Sequence, residues 1–212
     1  TSSNSSTVSA SAIGGTVANS FSVTVESLAK AQDTASGALL PVGGALGAGT
    51  LRLQLGQWTI VPVSFTPQSG GGSVDIEVSA TDTVSDVASK INGANAGVTA
   101  TVLTDAAGER LLLRSKSTGA ANGFELSIVS DADGAPADAA GLSRLVSGSS
   151  IQYAQDARVL INTIAVTSPT NTFENVVSGV TLTAHAVSPD PVEIEVVPDK
   201  SVITKAVNDF VA

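Results

Sequence analysis

Strict alternation of apolar and polar residues recurs along this chain and constrains its fold more than any other feature. In "SFSVTVES" the apolar residues Phe21, Val23 and Val25 alternate with Ser and Thr, and the same period of two recurs in "TLRLQLGQ", "VDIEVSA" and "DPVEIEV". Successive side chains of a strand point to opposite faces, so each segment predicts a strand with one buried face. The sequence therefore predicts a mainly β protein with little helix.

One segment breaks this period and predicts a short helix. Thr83 is a good N-cap residue, and Asp86 follows it at the spacing of a capping box. Asn92 and Gly93 can both leave a helix through a left-handed conformation, so we expect the helix to end there. The residues that share one helical face, and are expected to pack on a sheet, are Val84, Val87, Ala88 and Ile91.

The helical segment lies between two β-rich parts of the chain. The simplest interpretation is a discontinuous β-rich domain from residues 1–46 and 147–212, with a second β-rich domain, residues 47–146, inserted into it. The boundary is suggested by "GALLPVGGALGAGT", which is rich in glycine. Two tandem domains are the alternative.

The two ends of the chain carry their own signals. Thr1–Ser11 is rich in Ser and Thr and is expected to fray. The last segment, "KSVITKAVNDFVA", has the spacing of an amphipathic helix that continues in a longer protein. The chain contains no Met, so we expect it to be a piece of that longer protein.

Composition excludes several classes of function. The formal net charge of −9 argues against nucleic acid as a partner, because a phosphate backbone requires clustered basic residues. No apolar run has the length of a membrane span. The absence of Cys excludes disulfides and thiolate sites. Aromatic residues make up 3% of the chain and are scattered, so no platform for stacking sugars is expected.

Neither a catalytic nor a metal site is expected. His185 is the only His and stands in a predicted strand, where a structural role is favoured. The "DADG" at Asp131–Gly134 begins like a calcium loop but lacks the later oxygen ligands and the terminal Glu. "GGALGAG" lacks the strand and helix of a dinucleotide site, and no G-x-S-x-G occurs. The sequence predicts a protein that is not an enzyme and needs no cofactor.

A longer stretch, Asp82–Leu126, resembles the flagellin/hook IN motif. That motif runs from a helix through Ile-Asn and a Gly-Val-x-Ala strand to a glycine turn, an Arg-Leu strand and a Ser-x-x-Thr-Gly loop. It occurs in several flagellar axial proteins. The residues that match are Thr83 and Val87 in the helix, Ile91-Asn92, Gly97-Val98, Ala100, Gly108, Arg110-Leu111 and Ser117-Thr118-Gly119.

Two further stretches are similar to one member of that group, the flagellar filament cap family, also called hook-associated protein 2. Ser20–Ser36 resembles its segment "V-x-V-x-x-L-A-x-A-Q", and Ala154–Val187 resembles its C-terminal region. Thr163 departs from the family pattern, which usually has Gly there. The matching residues in the second stretch are Asp156-Ala157, Asn171 and Gly179-Val180-Thr181-Leu182.

The resemblance implies two globular β-rich domains of a cap protein without its terminal helical, coiled-coil legs. Such a protein is exported through the flagellar type III system to the extracellular filament tip, where it forms a homo-oligomeric ring and promotes flagellin folding and assembly. Flagellin, other copies of the chain and the hook–filament junction protein are the implied partners, with neither nucleic acid nor membrane. The loops Pro67–Ser73, Ser117–Gly123 and Asp131–Ala140 are candidate contact regions.

Two other functions remain open. The IN motif alone permits a different flagellar axial protein, although the Ala154–Val187 match is not expected there. A surface adhesin that binds host mucin is the third hypothesis, against which stands the missing aromatic platform. An enzyme ranks last because no acid–base or nucleophile constellation is present.

Overall fold

A computed structural model of the chain describes residues 1–70, 72–135, 140–146 and 150–197. The predicted C-terminal helix and parts of two loops lie outside these residues. The strands within them are β1 (Val8–Ala12), β2 (Asn19–Ser27), β3 (Asp33–Ala35), β4 (Gly49–Ile60), β5 (Val63–Pro67), β6 (Val74–Val78), β7 (Val98–Asp105), β8 (Gly108–Ser115), β9 (Gly123–Asp131), β10 (Ser150–Gln152), β11 (Ala157–Ile161), β12 (Ile164–Ser168), β13 (Thr172–Val177), β14 (Val180–Ala184) and β15 (Ser188–Val196).

Helical structure is limited to three short elements in the described chain. The α-helix α1 (Val84–Ala94) lies between β6 and β7, and two 3₁₀ helices span Ala120–Asn122 and Gly141–Leu145. The prediction of a mainly β protein with one short helix is confirmed.

The chain divides into two compact units, Ala29–Asp156 and the flanking parts Thr1–Leu28 and Ala157–Ala212. The predicted boundaries at 46/47 and 146/147 therefore fall inside the middle unit. Strand β3, assigned by sequence to the discontinuous domain, pairs with β8 through Thr34 and Leu113, and β10 pairs with β3. The glycine-rich Gly37–Thr50 is a loop within this unit up to Gly49, where β4 begins, and its Leu39 pairs with Glu109. That one domain is inserted into the other stays a prediction.

The described part of the flanking unit contains two antiparallel sheets. One has the strand order β12-β11-β2-β15 and the other the order β1-β14-β13. The alternating apolar residues of β2 face inward as predicted, since Phe21, Val23 and Val25 are buried. The predicted fraying of Thr1–Ser11 is wrong, because β1 pairs with β14 and Ser2 forms a bridge with Ile194.

The middle unit also contains two sheets. The order β10-β3-β8-β7 forms one, and β5-β4-β6 forms the other, with β9 pairing along β4. Its core contains Leu51 and Leu53 of β4, Leu111 and Leu113 of β8, and the buried face of α1. Within the described residues, no helix is long and apolar enough to span a membrane.

Candidate functional site

The IN-motif helix begins with the predicted capping box. The Asp86 backbone N–H donates to Thr83 Oγ1 over 3.3 Å, and the Thr83 backbone N–H donates to Asp86 Oδ2 over 2.9 Å. The backbone hydrogen bond from Thr83, followed by that from its hydroxyl, lowers the pKa of the Asp86 carboxyl. These reciprocal bonds satisfy donors that a helix start otherwise leaves unpaired, and thereby fix where α1 begins.

The buried face of α1 is the one that the sequence predicted. Val84, Val87 and Ile91 are fully buried, and Ala88 is nearly so. They join the same core as Val98, and burial of each Val or Ile side chain contributes about 1.5–3 kcal/mol to folding. Val87 and Ile91 therefore act by holding the helix on the sheet.

The helix does not end at Asn92 and Gly93, as the sequence analysis predicted. It continues to Ala94, and Asn95 is the residue that turns left-handed, with a φ of 53°. The Asn92 side chain instead pairs with strand β7: Nδ2 donates to the Ala100 carbonyl, and the Ala100 N–H donates to Oδ1, both over 2.8 Å. The Asn of the motif thus joins helix and strand.

Two motif glycines occupy positions that a side chain cannot share. Gly97 has a φ of +77°, and a Cβ there would lie 2.9 Å from Leu55 Cδ1. Gly108 has a φ of +137°, and a Cβ there would lie 2.4 Å from the Leu39 carbonyl oxygen. Both conformations favour glycine, so these two residues position the start and the turn of the β7–β8 hairpin.

The Arg-Leu pair of the motif connects β8 to the segment after β3. Arg110 Nη1 donates to the Ser36 carbonyl over 3.1 Å, and the Leu111 N–H donates to Ser36 Oγ over 3.0 Å. Leu111 and Ala100 are both buried in the core. Arg110 and Leu111 thus each contribute one hydrogen bond to Ser36, which orders the segment after β3.

The Ser117–Gly119 loop is held by the second matching stretch of the sequence. Asp156 Oδ1 accepts a hydrogen bond from the Ala120 N–H over 2.7 Å, and the Gly119 N–H donates to the Lys30 carbonyl over 3.2 Å. Asn122 Nδ2 donates to the Thr118 carbonyl over 2.7 Å. These bonds make the loop a fixed connection, whereas the described residues of Pro67–Ser73 are exposed as a contact region would be.

The remaining motif residues lie in the flanking unit, where they organise β13 and β14. Gly179 turns between these strands with a φ of +72°, and its carbonyl accepts from the Ile13 N–H over 2.9 Å. The Asn171 carbonyl accepts from the Ala184 N–H over 2.8 Å, and Leu182 is buried. These residues support the sheet that contains β1.

Thr163 keeps the β11–β12 turn despite departing from the family pattern. Ile161 pairs with Ile164, so Asn162 and Thr163 form a two-residue turn. Their φ angles are 45° and 75°. Positive φ at both positions is typical of the hairpin turn that favours Asn-Gly. The Thr therefore adopts the backbone conformation that Gly adopts more easily.

Gln32 is a residue whose role the sequence analysis missed. Its amide Nε2 donates to the Phe124 carbonyl over 2.7 Å, and the Phe124 N–H donates to its Oε1 over 3.0 Å. Gln32 is 1% exposed, so it connects β3 to β9 within the core. Its place at the end of "L-A-x-A-Q" was the available signal.

The aromatic residues are less scattered than the sequence suggested. The ring centroid of Trp58 lies 5.0 Å from that of Phe65 and 5.6 Å from that of Tyr153. Trp58 and Phe65 are directly opposite in the β4–β5 hairpin. A two-residue turn at Val61-Pro62 sets the register of the hairpin, so recognising this turn in the sequence would have predicted the Trp58–Phe65 pair. Tyr153 is distant in sequence and gave no such signal.

His185 and Asp131, which were considered for catalysis and metal binding, form hydrogen bonds with structural roles. His185 is exposed, with Nε2 at 2.9 Å from Ser9 Oγ. Asp131 Oδ2 accepts from the N–H groups of Leu142 and Ser143 over 2.8 and 3.2 Å, so it caps the 3₁₀ helix Gly141–Leu145. Across the described residues, no group of three or more His, Cys, Asp or Glu could hold a metal ion.

Two family models match the sequence in separate segments. The flagellin hook IN motif matches residues 63–117, and the flagellar hook-associated protein 2 C-terminus matches residues 154–212. The first match overlaps the Asp82–Leu126 stretch, and the second contains the Ala154–Val187 stretch. The family resemblance drawn from these residues is confirmed.

One curated relative extends the similarity to nearly the whole chain. The B-type flagellar hook-associated protein 2 of Pseudomonas aeruginosa is 27% identical over 225 residues, which cover 99% of this chain and 45% of the relative. The chain thus spans about half the length of that relative.

Solved structures share the fold. The crystal structure of FliD (HAP2) from Pseudomonas aeruginosa PAO1 matches with a TM-score of 0.75 and 23% identity, covering 97% of this chain and 90% of that chain. The FliD D2-D3 domains from Escherichia coli match with a TM-score of 0.72 and 23% identity, covering 91% and 95%. At these identities the likeness shows the β-rich fold.

Proposed function

Because the chain resembles flagellar hook-associated protein 2 in order along its length, we propose that it is part of a flagellar filament cap. The observation that carries the proposal is the pair of family matches, at residues 63–117 and 154–212, within an alignment that covers 99% of the chain. The IN motif alone would allow other flagellar axial proteins, and the second match favours the cap.

The function that we propose is structural. In the whole protein, several copies would form a ring at the extracellular filament tip, where flagellin exported by the flagellar type III system folds and joins the filament. Flagellin, neighbouring copies and the hook–filament junction protein would be its partners. The motif residues support this interpretation, because Thr83, Asn92 and Asp156 make hydrogen bonds that order backbone segments. No covalent chemistry is required of them.

The proposal is tested with the full-length parent protein. In a strain that lacks its gene, we expect flagellin to appear as monomer in the medium and cells to lack filaments. Purified parent protein is expected to form closed rings in electron micrographs. Filaments of normal length in the deletion strain would contradict the proposal.

A second experiment tests the contribution of this fragment. The deletion strain is complemented with the parent protein or with a variant from which residues 1–212 are removed and replaced by a short Gly/Ser linker. Secretion of each protein is measured by immunoblot of the culture medium. We expect only the intact parent to restore filaments. Full restoration by the secreted variant would assign cap function to the rest of the protein.

A further inference from the structure

A small cavity in the middle unit is lined by an acidic residue and by the only tryptophan of the chain. The cavity has a volume of about 160 Å³, and Trp58, Glu125, Thr34 and Ile151 are among the residues that line it. Ligand pockets for whole small molecules usually have about 300–1,000 Å³. A cavity of this size is suited to the head group of one side chain.

The indole ring of Trp58 is fixed in place. Its Nε1 donates to the Phe124 carbonyl over 2.9 Å, and the same carbonyl accepts from Gln32 Nε2 over 2.7 Å. Phe65 and Tyr153 pack against the ring from 5.0 and 5.6 Å. The indole ring of Trp58 is thus hydrogen-bonded to Phe124, and Glu125 is the next residue of β9. Their relative position is therefore preorganised.

Glu125 pairs with no cationic side chain among the described residues. It is the one titratable side chain among the residues that line the cavity, and no hydrogen bond or ion pair of its carboxylate occurs within the described residues. Burial raises the pKa of this carboxyl, which reflects the cost of removing its charge from water. A cation placed in the cavity would offset that cost.

The five arginines of the chain are engaged elsewhere. Arg52, Arg114 and Arg158 form ion pairs with Asp75, Asp33 and Glu26. Arg110 and Arg144 donate to backbone carbonyls. The five arginines thus all have other partners, and the net charge of −9 favours a basic partner protein that would supply a cation to Glu125.

We propose that the cavity lined by Trp58 and Glu125 binds an arginine side chain of a partner protein. A guanidinium group is planar and weakly hydrated, so it can pack against the part of the indole ring that lines the cavity while it donates hydrogen bonds to the carboxylate. A lysine ammonium is a more strongly hydrated point charge and would gain less from the ring. The proposal does not depend on the function proposed above.

The test uses the fluorescence of Trp58, which reports on this cavity alone because the chain has one Trp. The protein is titrated with N-acetyl-arginine amide and with N-acetyl-citrulline amide, which has a similar shape and no charge. We expect a saturable change with the arginine compound, and affinity about tenfold weaker for citrulline. Equal responses to both compounds, or no saturable response to arginine in the millimolar range, would overturn the proposal.

Two variants test whether the Glu125 carboxylate binds the arginine compound. Glu125→Gln keeps the shape of the side chain and is expected to weaken arginine binding about tenfold. Glu77→Gln, an exposed change in the same unit, is the matched control and should bind like the unaltered chain. The NMR signal of the Trp58 indole N–H checks that each variant keeps the ring environment. Unchanged affinity for the arginine compound in a folded Glu125→Gln protein would contradict the assignment.

Discussion

The side-chain amide of Asn92 forms two hydrogen bonds with the backbone of Ala100, one to the carbonyl and one from the N–H, each 2.8 Å long. They join the last turn of α1 to the first half of β7. Gln32 makes the same double contact with Phe124 in the other sheet of the middle unit. Two carboxamides thus replace sheet partners at positions where no neighbouring strand supplies them.

Replacement of Asn92 by Ala should destabilise the protein. The variant leaves the Ala100 N–H and carbonyl without their partner, and two hydrogen bonds of this kind contribute about 1–2 kcal/mol to the free energy of unfolding. The measurement is urea denaturation followed by circular dichroism. Ser89→Ala, an exposed change on the same helix, is the control. Equal stability of the two variants would show that the Asn92 contact is dispensable.

Gly93 and Gly97 should respond to alanine in opposite directions. Gly93 lies inside α1, and nothing lies within 4 Å of an added Cβ, so Gly93→Ala is expected to stabilise by about 0.5–1 kcal/mol. Gly97 has a φ of +77° and its Cβ would lie 2.9 Å from Leu55 Cδ1, so Gly97→Ala should destabilise. Thermal unfolding compares the pair. Destabilisation by Gly93→Ala would mean that the helix ends where the sequence first suggested.

The start of α1 could be predicted from sequence because its signals are local. Thr83 and Asp86 stand at the spacing of a capping box, and Val87 and Ile91 have the period of a single helical face. The C-terminal end of α1 was predicted too early, because Asn-Gly is also a common signal for the end of a helix. Nothing local shows that Asn92 contacts Ala100, which lies eight residues further on in another element.

The domain boundary and the cavity lined by Trp58 depend on strand pairings between residues that are distant in sequence. The sequence placed a domain boundary in a glycine-rich stretch, whereas Thr34 pairs with Leu113 and so joins β3 to the middle unit. Trp58 and Tyr153 are 95 positions apart by number, and their contact arises from the order of strands in the unit. Periodicity identifies strands and their buried faces, but it does not give the order in which strands pair.

Replacement of Thr163 by Gly should stabilise the β11–β12 hairpin. Thr163 has a φ of 75°, a conformation that costs a branched residue about 1–2 kcal/mol, and part of this gain is lost to the greater freedom of Gly in the unfolded chain. We expect a net increase of about 0.5–1 kcal/mol in urea denaturation. Thr167→Gly is the control: this exposed residue of β12 has no such turn, so the change should destabilise. A loss of stability in Thr163→Gly would contradict the assigned turn.

The capping box should make stability depend on pH in the acid range. Hydrogen bonds from the backbone N–H and then the hydroxyl of Thr83 lower the pKa of Asp86 in the folded state. The unfolded chain then binds more protons than the folded one between the two pKa values, so this stabilisation is present above about pH 4 and is lost as pH falls through the folded pKa. Asp86→Asn should therefore be less stable than the unaltered protein near neutral pH. The difference in the free energy of unfolding, measured by urea denaturation at a series of pH values, should shrink below about pH 4. A difference that stays constant from neutral to strongly acid pH would exclude ionised Asp86 as the stabilising form.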